Sequence, residues 1–330
     1  MSFEVLVFLI LVALTFDFMN GFHDAANSIA TVVSTGVLRP LYAVGWAASF
    51  NFIAYFVFHT KVAATIGTGI VDPAIVDHYV IFGALIGAIA WNFITWYYGI
   101  PSSSSHALIG GLVGAGVAKA GTEPLITSGL VKIIAFIFVA PFLGMLLAAL
   151  LMIAVSWLFF RSTPRRVDSW FRRLQLLSAA LYSLGHGGND AQKTAGIIWL
   201  LLIAGKYSTP QDAVPPWVVI ACYVTIGFGT LFGGWRIVRT MGQRITKLKP
   251  VGGFCAEAGG AVTLFLATHF GIPVSTTHTI TGAIVGVGAV RNVSAVRWGV
   301  AGGIVWAWVL TIPCSAVVAA AAWWIGTHIF

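Results

Sequence analysis

One eight-residue pattern occurs twice in the chain and combines groups that hold oxyanions. Its copies are residues 99–106, GIPSSSSH, and residues 271–278, GIPVSTTH. The longer segments 99–116 and 271–288 agree at nine of 18 positions. In each copy proline ends the preceding helix, and the Ser and Thr residues that follow are good N-caps for a new helix. The free N–H groups and positive dipole end of that helix predict an anion site; two kinks that only shape packing are the alternative.

Two glycine-containing polar patches carry the acidic candidates. Residues 17–28 read DFMNGFHDAANS and residues 185–193 read GHGGNDAQK, and apolar runs flank both. Such patches predict two discontinuous transmembrane helices whose freed backbone lines a cavity. Asp24 and Asp190 lie at the predicted breaks, and Asn27 is one turn beyond Asp24, so carboxylate and carbonyl oxygens there suit a hard cation. Alternatively, each aspartate N-caps the half-helix that follows it.

Two more ionisable residues lie in apolar surroundings. Glu257 stands among Ala and Gly residues, 16 positions before Pro273. It is either a protonatable coupling group or a satisfied buried carboxyl near the cytoplasmic mouth. Lys193 occupies the position that corresponds to Asn27, three residues after its aspartate. Its ammonium would neutralise Asp190 or meet an anionic substrate, and either role weakens the case for a second bound cation; the alternative is snorkelling to an interface.

Four histidines are candidates for proton relay or gating. His23 and His186 flank the two predicted breaks, and histidine titrates in the physiological range. His106 and His278 end the repeated pattern. For this second pair the favoured interpretation is structural, with hydrogen bonds that hold the hairpins together.

The composition is that of an integral membrane protein. The chain is 58% hydrophobic and 8% charged, whereas soluble domains have about 25% charged residues. Continuous apolar runs without Asp, Glu, Lys or Arg are long enough to cross a bilayer and exclude an alternating β-barrel. The net charge of +8 lies in short loops, which argues against a nucleic-acid partner, and the three cysteines form no metal or disulfide pattern. The uncharged runs are 41–58, 79–100, 133–160, 213–235 and 298–327.

Both motifs recur at nearly one spacing, which predicts a duplicated unit. Asp190 follows Asp24 by 166 residues, and Pro273 follows Pro101 by 172. The predicted organisation is a first repeat over 1–160 with a hairpin at 99–118, a basic cytoplasmic linker over 161–173, and a second repeat over 174–330 with a hairpin at 271–290. Residues 126–160 form one helix broken at Pro141 or two short ones, and the sequence leaves both open.

Loop charges predict that the two repeats are inverted. The loops at 161–173 and 236–249 are rich in arginine and lysine, and are therefore expected on the cytoplasmic side. The first-half loop at 60–78 lacks this bias and is expected outside, which also places both termini outside. Inverted repeats with discontinuous helices and re-entrant hairpins are typical of secondary transporters, so the predicted fold is an all-α membrane protein of that class.

These motifs, taken together, resemble the PiT inorganic phosphate transporter family. The resemblance rests on NGFHDAAN at 20–27, HGGND at 186–190 and the two GIPxSxxH hairpins, and it covers nearly the whole chain. It implies a symporter that carries inorganic phosphate with a cation, has inverted repeats, works as a homodimer in the bilayer, and needs no enzyme cofactor.

The resemblance also implies roles for individual residues. Phosphate is expected between the hairpin tips and the two broken helices, and the coupling cation beside the acidic residues. The expected phosphate contacts are Ser103, Ser104, Ser105, Ser275, Thr276, Thr277, Asn189, Gln192 and Lys193. The expected coupling-ion residues are Asp24, Asn27, Asp190 and Glu257, of which the first three would be ligands if a metal ion binds.

Two departures favour protons over sodium. The usual Gly-x-Asn-Asp of the first repeat reads GFHD at 21–24, and Gln192-Lys193 stands where sodium-coupled members tend to have asparagine. Both variants look like the bacterial Pit branch, which is associated with proton coupling and with metal–phosphate complexes. The expected function is therefore low-affinity-type phosphate import across the bacterial inner membrane, with H⁺ favoured over Na⁺.

The residues also leave rival functions to be tested. The same architecture would suit another oxyanion such as sulfate, because hydroxyl-rich tips alone do not select phosphate. An anion channel would conduct without coupling to a cation gradient. An enzyme acting on phosphate esters is disfavoured, because no metal cluster or nucleophile–base pair lies near the tips beyond Ser105 and His106.

Overall fold

The computed structural model describes residues 1–329, and within them the chain forms twelve α-helices joined by short connections. In the first half these are α1 (Phe3–Ser34), α2 (Pro40–Ile53), α3 (Lys61–Thr68), α4 (His78–Tyr98), α5 (Ser104–Ala120) and α6 (Thr127–Leu158). In the second half they are α7 (Pro164–Ala204), α8 (Pro216–Phe232), α9 (Trp235–Arg239), α10 (Pro250–His269), α11 (Thr276–Arg291) and α12 (Trp298–Ile329). The predicted all-α fold is confirmed.

The protein is an integral membrane protein by the length and composition of its helices. Five helices are long and apolar enough to span a bilayer, or seven if each of two bent pairs counts as one span. The bent pairs are α2 with α3, at 84°, and α8 with α9, at 63°. Residues 126–160, left open by the sequence, contain a single helix, α6, with Pro141 inside it.

The two repeated patterns form helical hairpins with tight turns. Gly99 and Gly271 have φ of 66° and 67°, a region that favours glycine, and each ends the first helix of its hairpin. Ser103 and Ser275 then N-cap α5 and α11, because their hydroxyls accept hydrogen bonds from the backbone N–H groups three residues on. The predicted stop at proline and restart at serine are confirmed.

The prediction of discontinuous helices at the polar patches is wrong. Both α1 and α7 run through their patches as continuous helices of 32 and 41 residues. The glycines serve close approach between helices instead of chain breaks. A Cβ at Gly21 would collide with the Ile226 carbonyl, and one at Gly187 with the backbone of Asn51. The bends fall instead after α2 and α8, which pack on these glycines.

The basic linker predicted over 161–173 is also mostly helical. Only the residues before Pro164 are outside a helix, and α7 begins there because Thr163 is extended and proline suits the first helical position. Arg172 and Asp168 form an ion pair one turn apart on this exposed first part of α7.

The second helix of each hairpin packs against a helix of the other half. Helix α5 packs against α12 and α11 packs against α6. At equivalent places, a Cβ at Gly110 would overlap the Ile312 carbonyl, and a Cβ at Gly282 would overlap the Pro141 carbonyl. These close approaches anchor each hairpin to the long terminal helix of the other half.

Two apolar clusters enclose the middle of the molecule. One joins the first part of α1 to α4, α5, α8 and the end of α7, and contains Phe16, Leu108 and Ile198. The other joins the end of α1 to α10, α11 and the first part of α7, and contains Ile29 and Ile280. The polar patches of α1 and α7 lie between these clusters, where the two hairpin tips meet them.

Candidate functional site

The centre of the site is Lys193, whose ammonium is buried and has three oxygen neighbours. Its Nζ lies 2.5 Å from Asp190 Oδ1, 2.5 Å from Ser105 Oγ and 2.6 Å from the Val274 carbonyl. An ammonium has three N–H donors, so all are used. Because the last two acceptors lie in different hairpins, Lys193 joins both tips to the carboxylate of α7. Snorkelling to an interface is excluded, since the side chain is 1% exposed.

The second oxygen of Asp190 serves the hairpin of the second half. Thr276 Oγ donates to Asp190 Oδ2 at 3.0 Å, and His186 Nε2 lies 3.3 Å from the same oxygen. His186 Nδ1 is in turn 3.1 Å from the Asn51 side-chain oxygen. This carboxylate therefore has a fixed cation on one side and polar neighbours on the other.

Asp24, at the corresponding place on α1, has no such cation. Its Oδ1 lies 2.6 Å from His23 Nδ1, and the Thr277 hydroxyl is 3.5 Å away. His23 Nε2 lies 3.0 Å from Thr95 Oγ on α4. The His23–Asp24 pair is buried, so a proton on it would change the net charge of the site with little screening by water.

Asn27 connects the first half to the second hairpin. Its side-chain nitrogen donates to Thr276 Oγ at 3.1 Å and to Thr277 Oγ at 2.9 Å, and its side-chain oxygen has no partner among the described residues. The two threonines thus lie between one amide donor and the two carboxylates. A cation near Asp24 would find this amide oxygen available.

A group that could hold a metal ion lies at the same place. Ligand atoms of Asp24, His186 and Asp190 all lie within 4.8 Å of one another, and all three residues are buried. The Lys193 ammonium already binds one of these carboxylates. The ammonium compensates the charge of Asp190 and takes up part of the space that a metal ion would need.

The six hydroxyl residues among the expected phosphate contacts divide into three groups. The hydroxyls of Ser105, Thr276 and Thr277 join the central network, whereas those of Ser103 and Ser275 cap helices. The Ser104 hydroxyl is buried and has no hydrogen-bond partner among residues 1–329. It is therefore free to bind an added oxygen acceptor.

Asn189 holds the backbone of the second tip. Its Nδ2 donates to the Ile272 carbonyl at 3.2 Å and to Thr268 Oγ at 2.9 Å, and its Oδ1 accepts from the Val274 N–H at 3.2 Å. These contacts set the shape of the turn, and in this conformation they use both N–H donors of the amide.

Gln192 points away from both tips. Its Oε1 accepts from the N–H groups of Val62 and Ala63, at 3.0 and 3.4 Å, and its Nε2 donates to the Gly188 carbonyl. The side chain therefore caps the short helix α3, whose first N–H groups have no intrahelical partner. The structure does not bring Gln192 to the other expected phosphate residues.

Glu257 belongs to a separate polar group. Its carboxylate accepts from Gln175 Nε2 at 3.0 Å and from Ser178 Oγ at 2.5 Å. Gln175 also accepts from Thr35, just after the end of α1. Glu257 thus lies on the side of the central network toward the last turn of α1.

The hydrogen bonds expected from His106 and His278 are not formed. The two rings meet edge to face at 4.6 Å, and the ring of His278 stacks on Trp308 at 3.8 Å. Within the described chain neither nitrogen of His278, nor Nδ1 of His106, has a hydrogen-bond partner. The pair joins the hairpins by ring packing.

Several polar contacts of the site were not predicted. Tyr182 donates its hydroxyl to the Thr276 carbonyl at 2.8 Å, and Thr95 and Asn51 support the two histidines next to the aspartates. Asn51 and Thr95 are polar residues inside runs that are mostly apolar and carry no charge, which is the signal that points to them in the sequence.

Comparison with known proteins agrees with this architecture. Residues 20–319 match the model of the PHO4 phosphate transporter family. The chain is 65% identical to a probable low-affinity inorganic phosphate transporter of Rhizobium meliloti, over 97% of this chain and 96% of that one. It is 46% identical to a protein of the same description from Bacillus subtilis, over 98% of both.

A solved structure has the same fold. It is described as the sodium-dependent phosphate transporter, with a TM-score of 0.92 and 25% identity, and the match covers 99% of this chain and 100% of that one. The relatives are transporters and not enzymes. With the family model matching nearly the whole chain, this protein belongs to the phosphate transporter family PHO4, the PiT family of membrane transport proteins.

Proposed function

We propose that this protein is a low-affinity importer of inorganic phosphate in the bacterial inner membrane, and that it couples phosphate to protons. The observation that carries the proposal is the position of Lys193, between Asp190 and both hairpin tips. Phosphate transport is supported by the descriptions of the relatives. It is also supported by the N-termini of α5 and α11, which meet at a place that contains several hydroxyl groups.

Phosphate would bind between the tips of the two hairpins. Ser104 offers a hydroxyl without a partner, and Ser105, Thr276 and Thr277 offer hydroxyls that now bind the network. The N–H groups at the starts of α5 and α11 add donors. A phosphate there would lie next to the Lys193 ammonium and would bind it by replacing one of its three present acceptors.

The coupling follows from the charges. An anion next to two ionised carboxylates is repelled, and in a buried site this repulsion is large. Lys193 compensates Asp190, which leaves Asp24 to be neutralised before phosphate binds. A proton on the His23–Asp24 pair accomplishes this with no further ligand. Binding of phosphate and of the proton would then favour each other, which is the requirement for symport.

Sodium coupling is the alternative that two observations favour. The matching solved structure is described as sodium-dependent, and Asn27 has an unpartnered buried oxygen next to Asp24. A sodium ion at Asp24 and Asn27 would neutralise the same charge. A phosphate bound together with a divalent metal would do so as well.

The architecture that we propose is an inverted repeat with re-entrant hairpins, both termini outside, and two protomers per transporter. The reciprocal packing of α5 on α12 and of α11 on α6 supports the repeat relation. Transport would follow from movement of the two hairpins, with the buried parts of α1 and α7, against the remaining helices.

The experiment is uptake of labelled phosphate into proteoliposomes, with excess unlabelled sulfate as competitor. We expect saturable uptake that sulfate does not suppress. Suppression by sulfate would identify another oxyanion permease, and anion currents independent of any cation gradient would identify a channel. Asp24→Asn and Asp190→Asn are the matched variants; uptake unchanged in both would refute the mechanism.

A further inference from the structure

A carboxylic acid outside the phosphate site stands out among the buried groups. Asp17 is 0% exposed, and its Oδ2 has no hydrogen-bond partner among residues 1–329. Its Oδ1 accepts one hydrogen bond, from Thr194 Oγ on α7, at 2.7 Å. No lysine, arginine or histidine of the described chain forms a salt bridge with it.

Asp17 shares a face of α1 with the central site but does not touch it. It precedes Asp24 by seven residues, two helical turns or about 10 Å along the axis. Asn20 lies between them on the same buried face, and its Oδ1 is also without a partner. Thr194 likewise follows Asp190 by about one turn of α7. The pair Asp17–Thr194 is therefore a second polar position between α1 and α7, on the side toward the start of α1.

The surroundings of Asp17 leave little room for a hydrated ion. Helices α1 and α8 meet backbone to backbone there: a Cβ at Gly21 would overlap the Ile226 carbonyl, and one at Gly229 would overlap the Phe18 carbonyl. The titratable groups that face Asp17 are Asp190 on α7 and Cys222 and Tyr223 on α8. None of these is a cation. A sodium ion needs several oxygen ligands, whereas a proton needs only the unpartnered Oδ2.

We propose that Asp17, held by Thr194, is a second proton-binding site, separate from the phosphate site, and that its proton moves with phosphate in each transport cycle. The proposal rests on the proton-coupled function above and adds a residue and a stoichiometry to it. Burial without a nearby cation disfavours the ionised form of a carboxyl. Such a group releases its proton only when a change of conformation gives it water or another acceptor. Alternating access supplies such a change.

The test is the steady-state phosphate accumulation ratio in proteoliposomes at zero membrane potential with a pH gradient of one unit. Each coupled proton then multiplies the ratio about tenfold, because one pH unit is a tenfold difference in proton activity. Asp17→Asn keeps the size of the side chain and cannot release a proton. We expect its accumulation ratio to fall about tenfold, while phosphate–phosphate exchange, which needs no net proton movement, stays within about twofold.

Two further variants keep the test interpretable. Asp17→Glu keeps a titratable carboxyl and is expected to accumulate phosphate more than Asp17→Asn does. Ser183→Ala is the matched control, because Ser183 is the position in the second half that corresponds to Asp17 and its buried hydroxyl bonds only the Ala179 carbonyl of its own helix. We expect the accumulation ratio of this control to equal that of the parent.

The outcomes separate this inference from the proposed function. A parent that ignores the pH gradient and accumulates phosphate on sodium alone would overturn both. A parent driven by protons, with Asp17→Asn reaching the same ratio, would overturn the assignment of Asp17 only. If Asp17→Asn is not recovered folded, Thr194→Val serves: it leaves the carboxyl but removes its one hydrogen bond. The pH dependence of phosphate accumulation in this variant should then differ from that of the parent, and an unchanged profile would contradict the proposal.

Discussion

Asp24 and Asp190 occupy corresponding positions in the two halves, 166 residues apart, but their partners differ in charge. Asp190 binds the Lys193 ammonium, whereas Asp24 has the His23 ring and the Thr277 hydroxyl. At the place of Lys193, the first half has Asn27, a neutral amide that binds two threonines. The two aspartates thus have similar polar neighbours, and Lys193 in place of an asparagine makes their surroundings electrostatically unequal.

The difference teaches how a transporter can change its ion requirement without changing its fold. In the proposed mechanism, an ammonium fixed by the chain takes the place of a cation that would otherwise be recruited from solution. On this proposal, the half with Asn27 needs an added positive charge when phosphate binds, and the half with Lys193 does not. Comparing variants of the two halves is therefore the direct way to test the assignment.

The largest effect is expected from Lys193→Met, which removes the fixed cation and keeps an unbranched side chain. Removing one member of a buried ion pair costs about 3–5 kcal/mol, because the other charge is left uncompensated. Phosphate uptake should fall at least about 100-fold, and the melting temperature should drop. Initial uptake rates and a thermal-shift assay measure both. Uptake near that of the parent would show that the ammonium is not needed.

Lys193→Asn sharpens the same comparison, because it gives the second half the amide of the first. We expect little uptake in sodium-free buffer and a partial recovery, at least about tenfold above Lys193→Met, when sodium is added. The parent should not respond to sodium. Equal activity of the Asn and Met variants with and without sodium would contradict the interpretation of Lys193 as a replacement for a bound cation.

The variants Asp190→Asn and Asp24→Asn should differ more in stability than in phosphate uptake. Asp190→Asn leaves the Lys193 ammonium buried without a counter-charge, whereas Asp24→Asn leaves the His23 ring next to a neutral amide. Both should reduce uptake at least about tenfold, but only Asp190→Asn should cost about 3 kcal/mol or more in unfolding free energy. In the double variant Asp190→Asn/Lys193→Met stability should recover, since no unpaired charge remains. Equal melting temperatures of the two single variants would contradict this.

A smaller effect is expected from Thr277→Val, which removes a hydroxyl of the second tip and preserves shape. A hydrogen bond to a charged group is worth about 1.5–3 kcal/mol, so the KM for phosphate should rise roughly 10- to 100-fold with a smaller change in maximal rate. Ser275→Ala is the comparison: its hydroxyl caps α11, and its loss should lower stability by about 1 kcal/mol with a smaller effect on KM. The reverse order of KM effects would place phosphate elsewhere.

The smallest effect on transport is expected from Gln192→Ala. This side chain caps α3, so its loss should lower the unfolding free energy by about 1 kcal/mol and leave the KM for phosphate within about twofold. A KM that rises as much as in Thr277→Val would restore Gln192 to the substrate site.

Local signals in the sequence predicted the hairpins well. Proline together with a nearby serine N-cap favours a stop and a restart of the helix, so the turns at Gly99 and Gly271 and the two caps follow from adjacent residues. The ion pair of Lys193 with Asp190 follows from their separation of about one turn, whereas the equivalence of Asp24 and Asp190 through a repeat stays a prediction.

Other features depend on neighbours that are distant in sequence. The glycines of the polar patches suggest helix breaks, but Gly21 and Gly187 serve tight packing against α8 and α2, which no local pattern encodes. The same is true of Gln192, which caps a helix 130 residues earlier. The role of Tyr182, which donates to the second tip, depends on how α7 crosses α11.

The measurement that tests the central claim most directly is phosphate uptake by the purified parent protein in proteoliposomes, with a proton gradient and a sodium gradient imposed separately. If Lys193 replaces a bound cation and the His23–Asp24 pair takes a proton, uptake will follow the proton gradient and remain unchanged when sodium is replaced by choline. Uptake that requires sodium and ignores pH would contradict the claim, because Asp24 and Asn27 would then hold Na⁺.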